Sequence, residues 1–349
     1  MRRRYPYFIF FILINCCFSC SPLPQEHSIS PAFYHWKQEL SLLREESNYL
    51  RELECTKLYV RYFDVTWDNE TKTAVPASIV EMDTVGLNGF EIIPVVYVTN
   101  EVMIALPESG IASLADNILK KIQSLSAPLP APGISEIQID CDWTGTSRES
   151  YFKLLKALKV VLESQNIRLS TTLRLHQYHD PQTTGVPPVD RVMLMFYNMG
   201  EVNDYLETNS ILNLDAAANY LDTPRAYPLP MDLALPIFQW GCIFREGKLV
   251  HLSNNLESTS LNDPQRFVKT GEKHFTVLKS TYLQGYFLYK ADEIRLESVS
   301  YDRLMEAVGL LKKVRNTESL TVSFYHLDTF NLNRFPAEQL EKILLKFSD

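Results

Sequence analysis

The sequence predicts an α/β protein of the (β/α)8 TIM-barrel class, and three observations lead there. Apolar, β-rich runs alternate with segments of helical periodicity from about residue 57 onward, the pattern of parallel strands joined by crossover helices. About eight such runs can be counted, and the last precedes a helix that reaches almost to the end of the 349-residue chain. The competing architecture, an open doubly wound sheet, needs a glycine-rich turn after an early strand to seat a nucleotide. No GxGxxG or P-loop pattern is present, and the chain holds only 12 glycines.

The first twenty residues stand apart from that pattern. Arg2, Arg3 and Arg4 precede the apolar run YPYFIFFILINCCF, which is too short to span a bilayer comfortably. The run ends in FSCS, with Ser19 directly before Cys20, and resembles a bacterial lipoprotein signal whose cysteine is lipidated and becomes the new N-terminus. Cys16 and Cys17 are alternative acceptors. Only Cys20 combines a small preceding residue with a polar, proline-rich stretch behind it. An uncleaved membrane anchor is the competing reading. The expected organisation is a signal over 1–19, a tether over 20–31 and one barrel domain over 32–349. A bacterial envelope location follows, with the membrane touched through the lipid anchor only.

The elements follow in order. Residues 32–54 read as helix in their later part, and KLYVRYFDVTWD (57–68) as a strand ending in a carboxylate. FEIIPVVYVTN (90–100) is a buried strand, IASLADNILKKIQSL (111–125) a helix, and ISEIQIDCDW the next strand. Tyr151, Leu154, Leu155, Leu158, Val161 and Leu162 mark one face of the helix behind it. Strands are expected over 167–177, 190–200 and 232–241, with a helix over roughly 204–221 and a weaker strand pattern over 282–297. A helix over 300–315 has Ser300 as its cap. The last strand spans 319–330, and a final helix has Pro336 in its first turn.

Loss of the signal would leave 31 basic residues against 42 acidic, a net charge of −11 with no basic block. Nucleic acid and anionic lipid headgroups are therefore excluded as partners. Beyond Cys20 the cysteines are Cys55, Cys141 and Cys242, with no CxxC and no zinc-type Cys/His spacing. No cofactor is expected. His176, His179 and Asp180 in HQYHD, with His326, are the candidate metal ligands, but the early His-x-His pair of a barrel metallohydrolase is absent, so no metal is expected. No G-x-S-x-G nucleophile elbow is present either.

In a (β/α)8 barrel, functional side chains gather at the C-terminal ends of the strands. Those ends carry Asp64 and Trp67; Tyr97 and Asn100; Asp140, Asp142 and Trp143; His176 and Gln177; Tyr197 and Asn198; Gln239 and Trp240; and Tyr325, His326 and Asp328. Aromatic faces interleaved with carboxylates and amides suit a sugar, which stacks its C–H faces and directs its hydroxyls at polar groups. Plain packing of the barrel rim is the competing account.

IQIDCDWTG followed by YFKLLKALK is similar to the signature strand and helix of chitinase-type, family 18 glycoside hydrolases. VDRVMLMFYNMG and LALPIFQWG resemble later strands of that family. The likeness spans roughly 130–245, and a family of bacterial lipoproteins with the same barrel is the nearer resemblance, which implies no activity. The resemblance implies a catalytic set of Asp140, Asp142 and Tyr197, and the strand-end positions place Asp64, Trp67, His176, Asn198, Gln239, Trp240 and Tyr325 around the substrate. It also implies losses. Ile137 replaces the motif's first acid, Thr144 its catalytic glutamate, and Asn198 an aspartate.

Enzymes of this type protonate the leaving oxygen with one carboxylic acid while the substrate's N-acetyl group acts as nucleophile. Strand alternation would put residues 140, 142 and 144 on one inward face. The chain then keeps groups that hold an N-acetyl sugar, and threonine cannot supply the proton. Glu149 is the nearest glutamate, but Thr146-x-x-Glu149 has the pattern of a helix capping box. Asp142 is the other candidate acid, because Asp140 beside it would disfavour ionisation of the pair. Asp64 and Asp328 are further acids with structural roles available. Three readings follow: an exported glycan-binding barrel with poly- or oligosaccharide as partner, an active glycoside hydrolase with a relocated acid, and a non-enzymatic envelope docking protein.

Overall fold

Eight parallel strands close on themselves in the computed structural model, which describes residues 28–130, 133–223 and 226–348. They are β1 (Ser28–His35), β2 (Lys57–Asp68), β3 (Glu91–Val98), β4 (Glu136–Asp140), β5 (Arg168–Leu173), β6 (Arg191–Met195), β7 (Met231–Pro236) and β8 (Ser319–Tyr325). Each pairs with its neighbours in the chain, and β1 closes the ring by pairing with both β8 and β2. Tyr34 is in register with Tyr325 on one side and Tyr59 on the other. Strands such as EIIPVVYV read as nearly continuous apolar runs because a barrel strand is covered on both faces.

Helices cover the outside. They include α1 (Arg44–Glu52), α2 (Ile111–Ser126), α3 (Arg148–Ser164), α4 (Leu214–Leu221), α5 (Tyr301–Leu311) and α6 (Ala337–Ser348). On α2 the buried residues Ile111, Leu114, Ala115, Ile118, Leu119 and Ile122 recur at helical spacing and form the stripe that faces the barrel. The Ser300 side chain accepts from the Arg303 N–H and caps α5. The link from β2 to β3 carries a short antiparallel strand, Thr73–Ala77, in place of a helix.

Two expectations are corrected. The tether does not extend to 31, because residues 28–31 already belong to β1 and pair with Ser319–Val322 of β8. The signal, Cys16, Cys17, Cys20 and tether residues 20–27 lie outside the described residues. The segment 282–297 is not a barrel strand; it belongs to an insertion between β7 and α5. There, strands Gln239–Arg245, Lys248–Asn254, Phe267–Lys269, His274–Val277 and Glu293–Ser298 form an antiparallel sheet over a small core of Ile243, Leu256, Phe267, Phe275 and Ile294. Antiparallel strands need only short turns between them, so the insertion escapes the strand–helix rhythm that marks the barrel. Cys55, Cys141 and Cys242 are free and buried. Among the described residues no helix is long and apolar enough to cross a membrane.

His35 ends β1 fully buried, and neither ring nitrogen has a hydrogen-bond partner. Burial, with the nearby Lys37 and His326, lowers its pKa from 6.5 to about 4, while Asp328 pulls the other way. A depressed histidine stabilises fully above its unfolded value, and that contribution fades as pH falls toward the folded one. The protein is therefore expected to lose about 3 kcal/mol from this group between pH 6.5 and 4. Urea midpoints at pH 7 and pH 5 test this. His35→Phe, similar in size and uncharged, should flatten the decline, and an equal decline in the variant would refute it.

Candidate functional site

Alternation along the strands lines the barrel interior with polar layers. On β4 and β5 the layers climb as cross-strand pairs. Ser170 Oγ donates to Glu136 Oε1 at 2.7 Å, Thr172 Oγ1 donates to Asp140 Oδ1 at 2.5 Å, and Arg174 Nε donates to Asp142 Oδ1 at 2.5 Å. Gln138 lies between, accepting from Tyr34 Oη at 2.6 Å. Ile137 and Ile139 have the opposite parity and join the apolar shell beneath the helices. Ser170, Thr172 and Arg174 thus each meet a carboxylate from the neighbouring strand or its end, the kind of pairing burial favours.

Above these layers opens a cleft of about 510 Å³. Its floor carries Asp140, Asp142, Arg61 and Arg174, and its walls carry Trp36, Tyr97, Tyr197, Phe238, Trp240 and Tyr325. Trp36, Tyr325, Tyr197, Phe238 and Trp240 form a continuous set of rings. Tyr197 stacks on Tyr325 at 5.1 Å, Phe238 lies edge-on to both, and Trp36 lies 5.7 Å from Tyr325. Asn198, Gln239, Asn254, Asn255 and His326 complete the rim. Asn198 has a φ of +55°, a left-handed conformation that asparagine adopts more readily than most residues. The Tyr325–His326 peptide bond is cis.

A β-bulge sets one side of the cleft. The pairing of β2 with β3 shifts register between Arg61 and Phe63, next to the position where Pro94, which has no N–H, faces Val60. The extra residue brings Arg61 and Asp64, three apart, to the same side. There Arg61 Nε donates to Asp64 Oδ1 at 2.8 Å, and Nη2 donates to Oδ2. The guanidinium sits 5.4 Å from the centre of the Trp36 ring.

Of the residues anticipated from the sequence, Asp140, Asp142, Tyr197, Asn198, Gln239, Trp240 and Tyr325 converge on this cleft. Asp64 stands behind it as the partner of Arg61. Trp67 is not in the cleft; it pairs with Ala74 on the β2 hairpin and packs against the outer core. His176 lines a neighbouring groove of about 390 Å³ rather than the cleft. Trp143 is fully buried, stacked on Tyr151 at 5.3 Å, and its Nε1 donates to the Thr184 carbonyl at 3.0 Å.

Thr144 does not continue an inward face, because β4 ends at Asp140. The chain then turns into α3, with the Thr144 N–H donating to Ser147 Oγ and its carbonyl accepting from Arg148 N–H at 2.9 Å. Its side chain is exposed and does not line the cleft. The capping box expected at Thr146 is also absent. Ser147 takes the N-cap position, and Glu149 is exposed on the outer helix, paired with Lys153 at 2.9 Å. Asp328 caps the short helix Thr329–Arg334 through Phe330 N–H and pairs with Lys37 at 3.2 Å.

Burial raises the Asp140 pKa, Arg174 opposes that shift, and Asp142 adds to it. Burial alone would lower the Arg174 pKa, but Asp140 and Asp142 outweigh it and hold the guanidinium charged. Burial pushes Tyr97 up to about 12 and raises Tyr197 and Tyr325 further, so all three present neutral hydroxyls. Burial lowers the His326 pKa, and Asp328 opposes the shift. Among the described residues no group of three or more His, Cys, Asp and Glu side chains is placed to hold a metal ion. The nitrogen Nδ1 of His179 meets the Tyr220 carbonyl instead, at 3.0 Å.

Arg61, Arg174, Trp36 and Phe238 were missing from the sequence reading. Arg174 was within reach: it continues the alternation of Ser170 and Thr172, as Asp142 continues that of Gln138 and Asp140. Arg61 was not, because its inward partner Asp64 depends on the bulge. Asn254 and Asn255 come from the insertion, whose return to the cleft only the fold reveals.

Together these features define the class: a closed parallel barrel with an aromatic-walled, carboxylate- and arginine-floored cleft at its C-terminal face. No protein-family model matches the chain, and no curated protein matches it. Solved structures do share the fold. The spore cortex-lytic enzyme SleL of Bacillus megaterium QM B1551 superposes with a TM-score of 0.56 at 11% identity, over 91% of this chain and 75% of that one. A chitinase from Chromobacterium violaceum gives 0.53 at 10% identity, over 90% and 98%. The chitinase ChiB of Flavobacterium johnsoniae, of family GH18, gives 0.50 at 10% identity, over 92% and 94%. The chain has the chitinase-type (β/α)8 fold.

Proposed function

We propose that this chain is an exported lipoprotein, anchored in the bacterial envelope through a lipid on Cys20, whose barrel binds an N-acetylated oligosaccharide without hydrolysing it efficiently. One observation carries the binding half of the reading. Six aromatic side chains wall a cleft whose floor offers both carboxylates and guanidinium groups, the mixture that sugar faces and sugar hydroxyls require. A structural neighbour, the Ostrinia furnacalis Group II chitinase catalytic domain 2, has been solved as an E2180L mutant with penta-N-acetylchitooctaose bound (TM-score 0.50, 10% identity). The reading against turnover rests on the absence of glutamate among the residues lining the cleft. Asp140 lies buried under its Thr172 hydrogen bond, and Asp142 is engaged by Arg174.

Titration calorimetry of the purified chain with N-acetylated chitooligosaccharides tests this. Binding is expected, and Trp240→Ala should weaken it about tenfold or more by removing a stacking face. An absence of binding to every N-acetylated oligosaccharide tried would end the reading. One feature favours a second reading as a hydrolase: the Asp142 side chain remains 46% exposed at the cleft. That reading requires turnover of an aryl glycoside with a bell-shaped pH profile that disappears in Asp142→Asn.

A further inference from the structure

Arg174 stands where two cavities meet. The cleft of about 510 Å³ and the side groove of about 390 Å³ share Asp142, Arg174, Tyr197 and Asn198 as a common wall. The Arg174 side chain is 25% exposed, and only its Nε is used, on Asp142. No acceptor among the described residues takes a hydrogen bond from its Nη1 or Nη2. Arg61 stands three strands away around the barrel, on β2, with Nε and Nη2 on Asp64 and Nη1 likewise without an acceptor.

Neutral hydroxyls do not need such groups. A guanidinium offers a planar fork of donors matched to a carboxylate, and its hydrogen bonds to an anion are about twice as strong as neutral ones. Asp140 is taken up by Thr172 and Asp142 by the Arg174 Nε, so an incoming carboxylate at the Nη edge meets donors that no protein group uses.

We infer that the glycan held in this cleft is acidic, with a carboxylate-bearing sugar substituent received by the Nη edge of Arg174 at the junction of cleft and groove. Arg61 supplies the second cationic edge across the cleft, for a neighbouring carboxylate or hydroxyl. The inference rests on the glycan-binding reading and narrows it to a chemical class. Two sources share that chemistry: an oligouronide, with the acid on the ring, and an N-acetylated oligosaccharide carrying lactyl-ether acids.

The test is calorimetry of the full chain with five probes: tetra-N-acetylchitotetraose, a tetragalacturonate, an N-acetylated tetrasaccharide with lactyl-ether acids on alternate sugars, and the carboxyl-amidated form of each of the two acids. At least one acid should bind about tenfold or more tighter than its amide, with the advantage shrinking as salt rises. Whichever acid does so identifies the source. Arg174→Gln should abolish the advantage, and Arg174→Lys should keep part of it. Equal affinity of acid and amide would overturn the inference, as would an advantage that survives in Arg174→Gln. Chitotetraose bound as tightly as the tighter-binding acid would overturn it while leaving the glycan reading standing. If none of the probes bound, both would fall. Should Arg174→Gln not fold, the acid-to-amide ratio in the unmodified chain and its reduction in Arg61→Gln decide.

Discussion

Trp143→Ala is expected to destabilise the protein by about 3–5 kcal/mol, the range for removing a large aromatic side chain from a packed core. The indole is fully buried, stacked on Tyr151 and edge-on to Phe152, so truncation leaves a cavity that the barrel wall cannot collapse to fill. It also strips the Thr184 carbonyl of its donor. Urea unfolding monitored by circular dichroism measures the loss, and a change below about 1 kcal/mol would refute the packing account. The result separates two tryptophans that look alike in the sequence. Trp143 belongs to the seam between β4 and α3, whereas Trp240 lines the cleft.

Glu297→Ala carries a comparable cost for a different reason. Glu297 and Arg295 are fully buried and paired at 2.7 Å, at the seam between the insertion and the barrel loops. Glu297 also accepts from Ser210 N–H at 3.0 Å, Ser210 Oγ at 2.6 Å and Trp240 Nε1 at 2.8 Å. Arg295 in turn donates to the carbonyls of Val202 and Asp204. Removing one partner of such a pair strands the other as an uncompensated buried charge, at about 3–5 kcal/mol. The double substitution Arg295→Met with Glu297→Leu should recover a large part of the loss, because the stranded charge goes with it. Urea unfolding of all three variants checks both points; a Glu297→Ala loss under about 1 kcal/mol, or a double variant worse than the single, would contradict the account. Glu297→Ala should also weaken the glycan binding proposed above, because Trp240 loses its anchor.

Much of the barrel was legible because each strand–helix unit buries its own face. EIIPVVYV and SLTVSFY announce covered strands, and the spacing of Leu154, Leu155 and Leu158 announces the helix that covers them. β1 was not legible: SISPAFYH follows a proline-rich stretch, contains Pro31, and becomes a strand only because β8 and β2 supply partners on both edges. The insertion was hidden for a related reason, since its short strands are stabilised by one another across turns and not by any periodic covering helix.

The candidate site divides the same way. Side chains placed by simple alternation were found in the sequence: Asp140 and Asp142 at the end of β4, Tyr197 after β6 and Tyr325 at the end of β8. Alternation misleads wherever a strand stops or bulges. It carried Thr144 inward past Asp140, where the chain has already turned to start α3. It hid Arg61, whose approach to Asp64 depends on the bulge in β2.

The sequence by itself determined the class of fold and the chemical types at the strand ends, because hydrophobic period and residue identity are local properties. Only the tertiary structure decided which of those groups share a cleft. Trp67, Trp143 and Trp240 all follow apolar runs, yet one packs outside, one is buried in the wall and one faces the cleft. Strand ends, bulges and the partners across the barrel set those directions, and they arise from pairing between segments far apart in the chain.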